Sequence, residues 1–157
     1  MKASPEILRH YPDLNDPQKT IIAHADGPLL VIAGPGSGKT LSLVLRTMNL
    51  ILSNRATPKQ IIVCTFTEKA AFELRDRISA AAAKVACTAD LSELRVTTIH
   101  GLCNRILSTY RHKTDLGNNF ETLDELTQRL FIFDLFDEIV GPDTENGFLG
   151  HWKTKWT

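Results

Sequence analysis

Apolar and polar residues along the chain follow two different spacings, one typical of strands and one typical of helices. Two continuously apolar runs have the length of strands that are buried on both faces of a sheet, and a shorter strand is expected further on. The predicted strands are 29–33, 61–65 and 95–98. Between and after them, apolar residues recur with the helical period. The predicted helices are 39–53, 68–86 and 99–110. This alternation favours a parallel α/β sheet.

The N-terminal stretch carries little periodicity. Residues 1–16 contain prolines and turn signals and are predicted to be irregular. Asp16 is expected to cap a short helix that begins at Pro17 and ends near His24, because proline fits the first turn of a helix.

The C-terminal third begins with a polar loop at 113–119. Thr122 and Glu125 form a Thr-x-x-Glu capping box, which predicts a helix that ends near Val140. Residues 130–134 also have the form of a Walker B strand, four apolar residues followed by an aspartate. The capping box and the helical spacing favour the helix.

Composition and charge narrow the class of protein. The chain has 157 residues, 43% hydrophobic and 23% charged, which is typical of a globular domain. Lysine plus arginine and aspartate plus glutamate both number 18, so any nucleic-acid contact must come from local placement of charge. The three cysteines are scattered, which argues against a disulfide framework or a zinc site. With no leader or membrane-length apolar run, the expected location is the cytoplasm and no membrane partner is expected.

A glycine-rich segment follows the first predicted strand and opens the next helix, the context of a phosphate-binding loop. Its glycines let backbone N–H groups turn around phosphates, and the helix N-terminus adds partial positive charge. Lys39 is expected to reach the β- and γ-phosphates of ATP, and Thr40 to help hold Mg²⁺, so both are candidate catalytic residues. Ala33 replaces the first glycine of the pattern, and an incidental glycine-rich turn is the alternative. The predicted nucleotide-binding residues of the loop are Gly34, Pro35, Gly36, Ser37, Gly38, Lys39 and Thr40.

A second sequence motif lies before the glycine-rich segment. Leu14, Asn15 and Gln18 form the pattern Leu-Asn-x-x-Gln, which resembles the Q motif of UvrD/Rep-type superfamily 1 helicases. A glutamine amide can donate and accept together, as the edge of adenine demands. The resemblance implies that Gln18 reads adenine. A lone glutamine on a helix is usually only solvated, so the spacing to the phosphate-binding loop gives this motif its value.

The second predicted strand ends in a segment that resembles motif Ia of the same family. The resemblance implies that Phe66, Thr67 and Lys69 bind single-stranded DNA, since an aromatic ring suits a base and hydroxyls suit phosphate. Glu68 departs from the usual asparagine, and a carboxylate is unfavourable beside phosphate. A strand-to-helix corner with a core phenylalanine is the alternative.

The third predicted strand ends in a segment that resembles the Thr-Phe-His motif that follows in this family. Thr98 and His100 match it and are implied to contact the DNA backbone, while Ile99 replaces the phenylalanine. A single histidine at a helix start is more often structural, and the order and spacing of the motifs argue for the DNA-binding role.

The resemblance spans about residues 14–110 and implies a fold. That fold is an α/β P-loop NTPase, a RecA-like parallel sheet flanked by helices. Residues 1–110 would form the N-terminal part of the ATP-binding motor domain (domain 1A), and residues 111–157 the beginning of a helical inserted subdomain (1B-like). The sequence shows no internal repeat.

The function that the resemblance implies is that of an ATP-dependent DNA helicase. Such an enzyme uses ATP and Mg²⁺, translocates 3′–5′ on single-stranded DNA and unwinds duplex junctions in repair, replication or recombination. In the family, a strand ending in Asp-Glu holds Mg²⁺, and a second RecA-like domain supplies arginine fingers. Both are expected to be missing from this chain, so it is expected to be inactive alone.

Three other functions stay open at this point. A small P-loop kinase would need an acid after the second strand, for which Glu68 could serve, and an arginine-rich lid, which is not visible. A standalone ATPase would need Asp134 as its Walker B acid. A module that binds nucleotide without turnover is the remaining alternative.

Overall fold

The computed structural model describes residues 2–114, 120 and 123–135. They belong to two compact units, residues 1–109 and a second unit that begins at Tyr110. The helices are α1 Pro5–His10, α2 Asp16–Ala23, α3 Lys39–Leu52, α4 Glu68–Lys84, α5 Ile99–Thr109 and α6 Glu125–Asp134. The strands are β1 Ile62–Thr65 and β2 Arg95–Thr98. Single 3₁₀ turns lie at Pro58–Gln60, Leu91–Glu93 and Arg111–Lys113.

The sheet of the first unit is parallel, as the alternation of strand and helix predicts. β1 pairs with β2, with Val63 opposite Val96 and Thr65 opposite Thr98. α4 forms the crossover between them, as a parallel connection requires. The two strands therefore end side by side at the same edge.

The predicted strand at 29–33 is wrong. This segment has no regular structure, and the side chains of Leu30 and Ile32 are 84% and 89% exposed. A strand is defined by ladder hydrogen bonds to a neighbour, and within the described ranges β1 and β2 pair only with each other. An apolar run of the right length supplies the propensity for a strand but not its partner.

The N-terminal prediction is also partly wrong. Residues 5–10 form α1, with Pro5 in the first turn and Ile7 fully buried, where the sequence predicted irregular structure. Asn15, and not Asp16, caps α2: its side chain accepts a hydrogen bond from the Gln18 N–H at 2.9 Å. The gain from burying Ile7 stabilises a helix too short to form by propensity alone.

The core of the first unit lies between α2, α3, α4 and the two strands. α3 buries the face that its helical period predicts, with Val44, Leu45 and Met48 at most 2% exposed. Among the residues packed with them are Ile7, Leu14, Ile22, Val63, Leu74, Ile78, Val85 and Val96.

Two polar side chains of α3 join this core to α2. Asn49 is fully buried; its Nδ2 donates to the Ile22 carbonyl at 2.9 Å, and its Oδ1 accepts from the Ser4 N–H at 2.7 Å. Arg46 donates from Nη1 to the carbonyls of Ile21 and His24 at the end of α2. These bonds satisfy carbonyls that a helix end leaves free.

α6 belongs to the second unit. Residues 130–134 lie within it, which confirms the predicted helix and means that this segment is not a Walker B strand. Its cap is Asp124, whose carboxylate accepts from the Thr127 N–H at 2.7 Å. The predicted cap Thr122 and the predicted end near Val140 lie outside the described residues. No helix in the described part of the chain has both the length and the hydropathy of a membrane span.

Candidate functional site

The glycine-rich loop lies at the surface and leads directly into α3. Gly36 and Gly38 have φ angles of 74° and 80°, in the left-handed region that favours glycine. The Ser37 hydroxyl donates to the Gly34 carbonyl at 2.8 Å, which closes the turn. Gly38 is the N-cap of α3 and offers no side-chain cap, so the first N–H groups of this helix are open to a ligand.

Lys39 folds back over the loop that it follows. Its Nζ donates to the carbonyls of Ala33 at 2.7 Å and Gly34 at 2.6 Å. An added Cβ on Gly34 or Gly36 would meet no atom within 4 Å, so the space beside these two glycines is open. The residues present fit a phosphate chain: a cation, a helix N-terminus and a loop with open space beside its glycines. The exposed Thr40 follows on α3, where its hydroxyl is accessible to a cation.

Gln18 reaches this loop from α2. Its Nε2 donates to the Ser37 carbonyl at 3.2 Å, and its Oε1 accepts from the Asn15 N–H at 3.1 Å. The structure therefore brings together Gln18 and the predicted phosphate-binding residues. Sequence spacing predicted their proximity, but it did not predict a direct bond between the glutamine and the loop.

The carboxyl end of β1 presents the second group of predicted residues. Phe66 is 83% exposed and Lys69 is also exposed, so the phenylalanine is not a core residue. Thr67 is the N-cap of α4, and its hydroxyl accepts from the Ala70 N–H at 3.2 Å.

The carboxyl end of β2 presents the third group. His100 is exposed on the first turn of α5, whereas Thr98 is buried, with 5% exposure. The Gly101 N–H donates to the Thr98 hydroxyl at 3.0 Å. A Cβ at Gly101 would lie 2.7 Å from the Thr97 hydroxyl oxygen, so a larger residue here would force the Thr97 side chain to move.

Glu68 links these two groups. The Thr98 hydroxyl donates to the Glu68 Oε1 at 3.0 Å. The residue that departs from the family pattern therefore has a definite structural partner, which no single motif could reveal because the two positions are thirty residues apart. The loop residues and the two strand ends together form what we call the candidate site.

A cavity of about 190 Å³ lies between α3 and the end of β1. Thr40 lines it together with Thr65 of β1 and with Glu73 and Arg77 of α4. The start of α3 and the end of β1 thus line the same cavity. Glu73 and Arg77 lie on α4, and sequence analysis did not place them in the site.

A larger cleft of about 570 Å³ lies beside β2, and Thr97 and Gly101, the neighbours of Thr98 and His100 in the sequence, are among its lining residues. Its lining includes four cationic side chains and one acid: Lys59, Arg75, Arg95, Arg105 and Glu93. The chain is neutral overall, so this cleft shows how strongly charge is segregated locally.

Taken together, the parallel strand pair, the crossover helix and the glycine-rich loop at the start of α3 define a small α/β domain. Residues 14–148 match the family model of the UvrD/REP helicase N-terminal domain. The chain belongs to this family, in agreement with the resemblance carried by its motifs.

Individual relatives agree with the family match. The chain is 37% identical over 111 residues to the ATP-dependent DNA helicase SRS2 of Saccharomyces cerevisiae, an alignment that covers 71% of this chain and 9% of the relative. It is 31% identical over 148 residues to the ATP-dependent DNA helicase Rep of Buchnera aphidicola, covering 91% of this chain and 22% of the relative. It is 35% identical over 115 residues to the ATP-dependent DNA helicase PcrA of Bacillus subtilis, covering 73% and 15%. The chain therefore spans less than a quarter of the length of these relatives.

Proposed function

We propose that this chain is the ATP-binding N-terminal region of an ATP-dependent DNA helicase. In this proposal the whole protein translocates 3′–5′ on single-stranded DNA and unwinds duplex junctions in repair, replication or recombination. The observation that carries the proposal is the open glycine-rich loop at the start of α3, with Lys39 and Gln18 converging on it. The relatives' names supply the class of reaction.

The loop and its neighbours would hold Mg·ATP. Lys39 exchanges its two carbonyl partners for phosphate oxygens, Thr40 supplies a hydroxyl to Mg²⁺, and Gln18 reads the adenine edge. Mg²⁺, when bound, neutralises charge on the terminal phosphates. The residues that complete hydrolysis would come from the remainder of the motor, including its second RecA-like domain.

The adjacent carboxyl ends of β1 and β2 would contact single-stranded DNA. The exposed ring of Phe66 offers a stacking surface, and Lys69 and His100 offer contacts to phosphate. Thr98 is buried, so in this proposal it acts by holding Glu68 and the first turn of α5 in place rather than by direct contact.

The alternatives are a small P-loop kinase and a standalone ATPase. Residues 130–134 are helical, which removes the Walker B strand that a standalone ATPase would take from this segment. Glu68 is bonded to Thr98, which disfavours its use as the base of a kinase.

The test measures Mg·ATP binding by calorimetry, phosphate release with and without single-stranded DNA, and oligonucleotide binding by anisotropy. Lys39→Ala is expected to weaken Mg·ATP binding about tenfold or more, the range of a charged hydrogen bond, and to leave DNA binding unchanged. Lys69→Ala removes the same charge outside the loop. It is expected to weaken oligonucleotide binding and to leave Mg·ATP binding unchanged. Neither the wild-type chain nor Lys39→Ala is expected to release phosphate continuously.

Three outcomes would contradict the proposal. If both lysine variants weakened ATP and DNA binding equally, the two surfaces would not be separate sites. Continuous phosphate release that was lost in Lys39→Ala would favour a standalone ATPase, and phosphate transfer to a small acceptor would favour a kinase.

A further inference from the structure

Gln18 makes more contacts than the reading of a base requires. Its amide oxygen accepts from Asn15 while its amide nitrogen donates to the carbonyl of Ser37. One partner is an N–H group and the other is a carbonyl, so the orientation of the amide is fixed. The same nitrogen lies 2.5 Å from the position that a Cβ would occupy on Gly38. Gln18 therefore packs directly on the Ser37–Gly38 peptide.

The bond to Ser37 fixes the direction of the next N–H group. Every peptide bond described here is trans, and in a trans peptide the carbonyl and the N–H point in opposite directions. Because the Ser37 carbonyl faces Gln18, the Gly38 N–H faces away from it. Gly38 has a φ of 80° and no side chain to limit rotation of its backbone, so the bond from Gln18 restricts the orientation of this peptide.

We propose that Gln18 is a positioning residue for the phosphate-binding loop, in addition to any role in reading adenine. It holds the Ser37–Gly38 peptide so that the Gly38 N–H is already directed at the incoming phosphates before nucleotide binds. This proposal rests on the proposed ATP-binding function and deepens it: recognition of the polyphosphate depends on Gln18 even when no base is present.

The chemistry of the amide allows both roles at once. An amide nitrogen carries two hydrogens and an amide oxygen accepts two bonds. After the bonds to Ser37 and Asn15, one hydrogen and one acceptor position remain, which is what the donor–acceptor edge of adenine requires. Gln18 would thus bind the adenine edge while keeping its hydrogen bond to the Ser37 carbonyl of the loop.

The test uses Mg·tripolyphosphate, a probe that has the phosphates of ATP and no base. Gln18→Met keeps the size of the side chain and removes its hydrogen bonds. Asn15→Ala removes the other half of the same capping box, the bond accepted from the Gln18 N–H, and leaves the amide of Gln18 in place. Both variants weaken the cap of α2, so they are matched in helix stability and differ at the loop.

Gln18→Met is expected to weaken Mg·tripolyphosphate binding about two- to tenfold, the range of one net hydrogen bond, while Asn15→Ala is expected to leave it unchanged. Amide hydrogen exchange of the nucleotide-free chain is expected to rise at Gly38 in Gln18→Met alone. Unchanged tripolyphosphate binding in Gln18→Met, with weaker ATP binding, would overturn the positioning role and leave only the reading of adenine. An equal loss in Asn15→Ala would assign the effect to the helix cap and also overturn it. A wild-type chain that bound neither ATP nor tripolyphosphate would overturn the proposed function and this role with it.

Discussion

The hydroxyl of Thr98 donates a hydrogen bond to the carboxylate of Glu68 across 3.0 Å. Thr98 is the last residue of β2 and is buried, while Glu68 is the exposed first residue of α4. The bond therefore fixes the start of one helix to the end of the neighbouring strand. The two segments proposed to contact DNA are held as one unit by this pair, and Glu68 is one of the positions at which the chain departs from the motifs that it resembles.

Glu68→Gln keeps the hydrogen bond from Thr98 and removes the negative charge, so the two effects can be measured separately. Glutamine keeps an acceptor for Thr98, so the free energy of unfolding is expected to change by less than about 0.5 kcal/mol. Because the negative charge is lost beside the proposed phosphate path, binding of single-stranded oligonucleotide is expected to strengthen, and more so at low salt. Anisotropy titrations at two salt concentrations measure this. Asp76→Asn, an equal charge change further along α4, is expected to have a smaller effect; an equal gain in both variants would show only a change in net charge.

Thr98→Val removes the bond and keeps the shape of the side chain. The buried site loses the donor to Glu68 and the acceptor of the Gly101 N–H, so the free energy of unfolding is expected to fall by about 1–3 kcal/mol. Urea denaturation measures the change, with Thr20→Ala on the exposed side of α2 as the control. If Thr98→Val were as stable as the wild type, the pair would not couple the two segments.

Asn49→Leu tests the polar connection inside the core. Leucine has a similar volume but leaves the Ile22 carbonyl and the Ser4 N–H without their partner, and an unsatisfied buried group costs about 1–3 kcal/mol. The expected result is a lower midpoint in urea, with the slope of the transition unchanged. A stabilised Asn49→Leu chain would mean that apolar burial outweighs these two bonds.

Gly38→Ala and Gly27→Ala form a matched pair: Gly38 lies in the glycine-rich loop and Gly27 lies outside it. Their φ angles are 80° and 81°, so alanine is expected to destabilise the chain by about 1–2 kcal/mol at either position. Only at Gly38 would the new Cβ meet another residue, the amide of Gln18 at 2.5 Å. Weaker Mg·ATP binding is therefore expected in Gly38→Ala alone. Calorimetry decides this, and equal ATP affinities in the two variants would contradict it.

Asp90 gives the chain a defined sensitivity to acid. The backbone N–H of Ser92 donates to its carboxylate at 2.9 Å, and this bond, with a further contribution from the Ser92 side chain, holds the pKa of Asp90 below its usual 3.8. A carboxyl with a lowered pKa stabilises the folded state above its usual pKa, and this contribution is lost as the pH falls through the lowered value.

Asp90→Asn keeps the acceptor for Ser92 and cannot titrate. The difference in unfolding free energy between wild type and Asp90→Asn is expected to be constant near neutral pH. As the pH falls below 3.8, the wild type is expected to lose stability relative to Asp90→Asn. Urea denaturation across this range measures it. A difference that did not change with pH would mean that the bond to Ser92 is not maintained in solution.

The sequence predicted those parts of the structure that local pattern determines. The helical spacing of Val44, Leu45 and Met48 predicted α3. The glycines before it predicted the loop that leads into this helix. α1 was missed because its only fully buried residue is Ile7, and a single apolar residue gives no period. The strand at 29–33 was wrong because pairing is a relation between segments that no local window contains.

The residues of the candidate site could be predicted from the sequence, but the hydrogen bonds between them could not. Gln18 and Phe66 could be selected from their motifs, and the structure places Gln18 at the loop and Phe66 at an exposed strand end. The bond from Gln18 to Ser37 and the bond from Thr98 to Glu68 join side chains from separate elements. Such contacts depend on how helices and strands pack, which spacing along the chain does not encode.

The open segment at 29–33 also affects how the isolated chain behaves in solution. An apolar stretch that lies outside the sheet can pair with a second copy of the chain, and the side chains of Leu30 and Ile32 are 84% and 89% exposed. Self-association is therefore expected to increase with protein concentration and to begin at this stretch. A lysine in place of Ile32 would act as a gatekeeper and keep recombinant material monodisperse during purification.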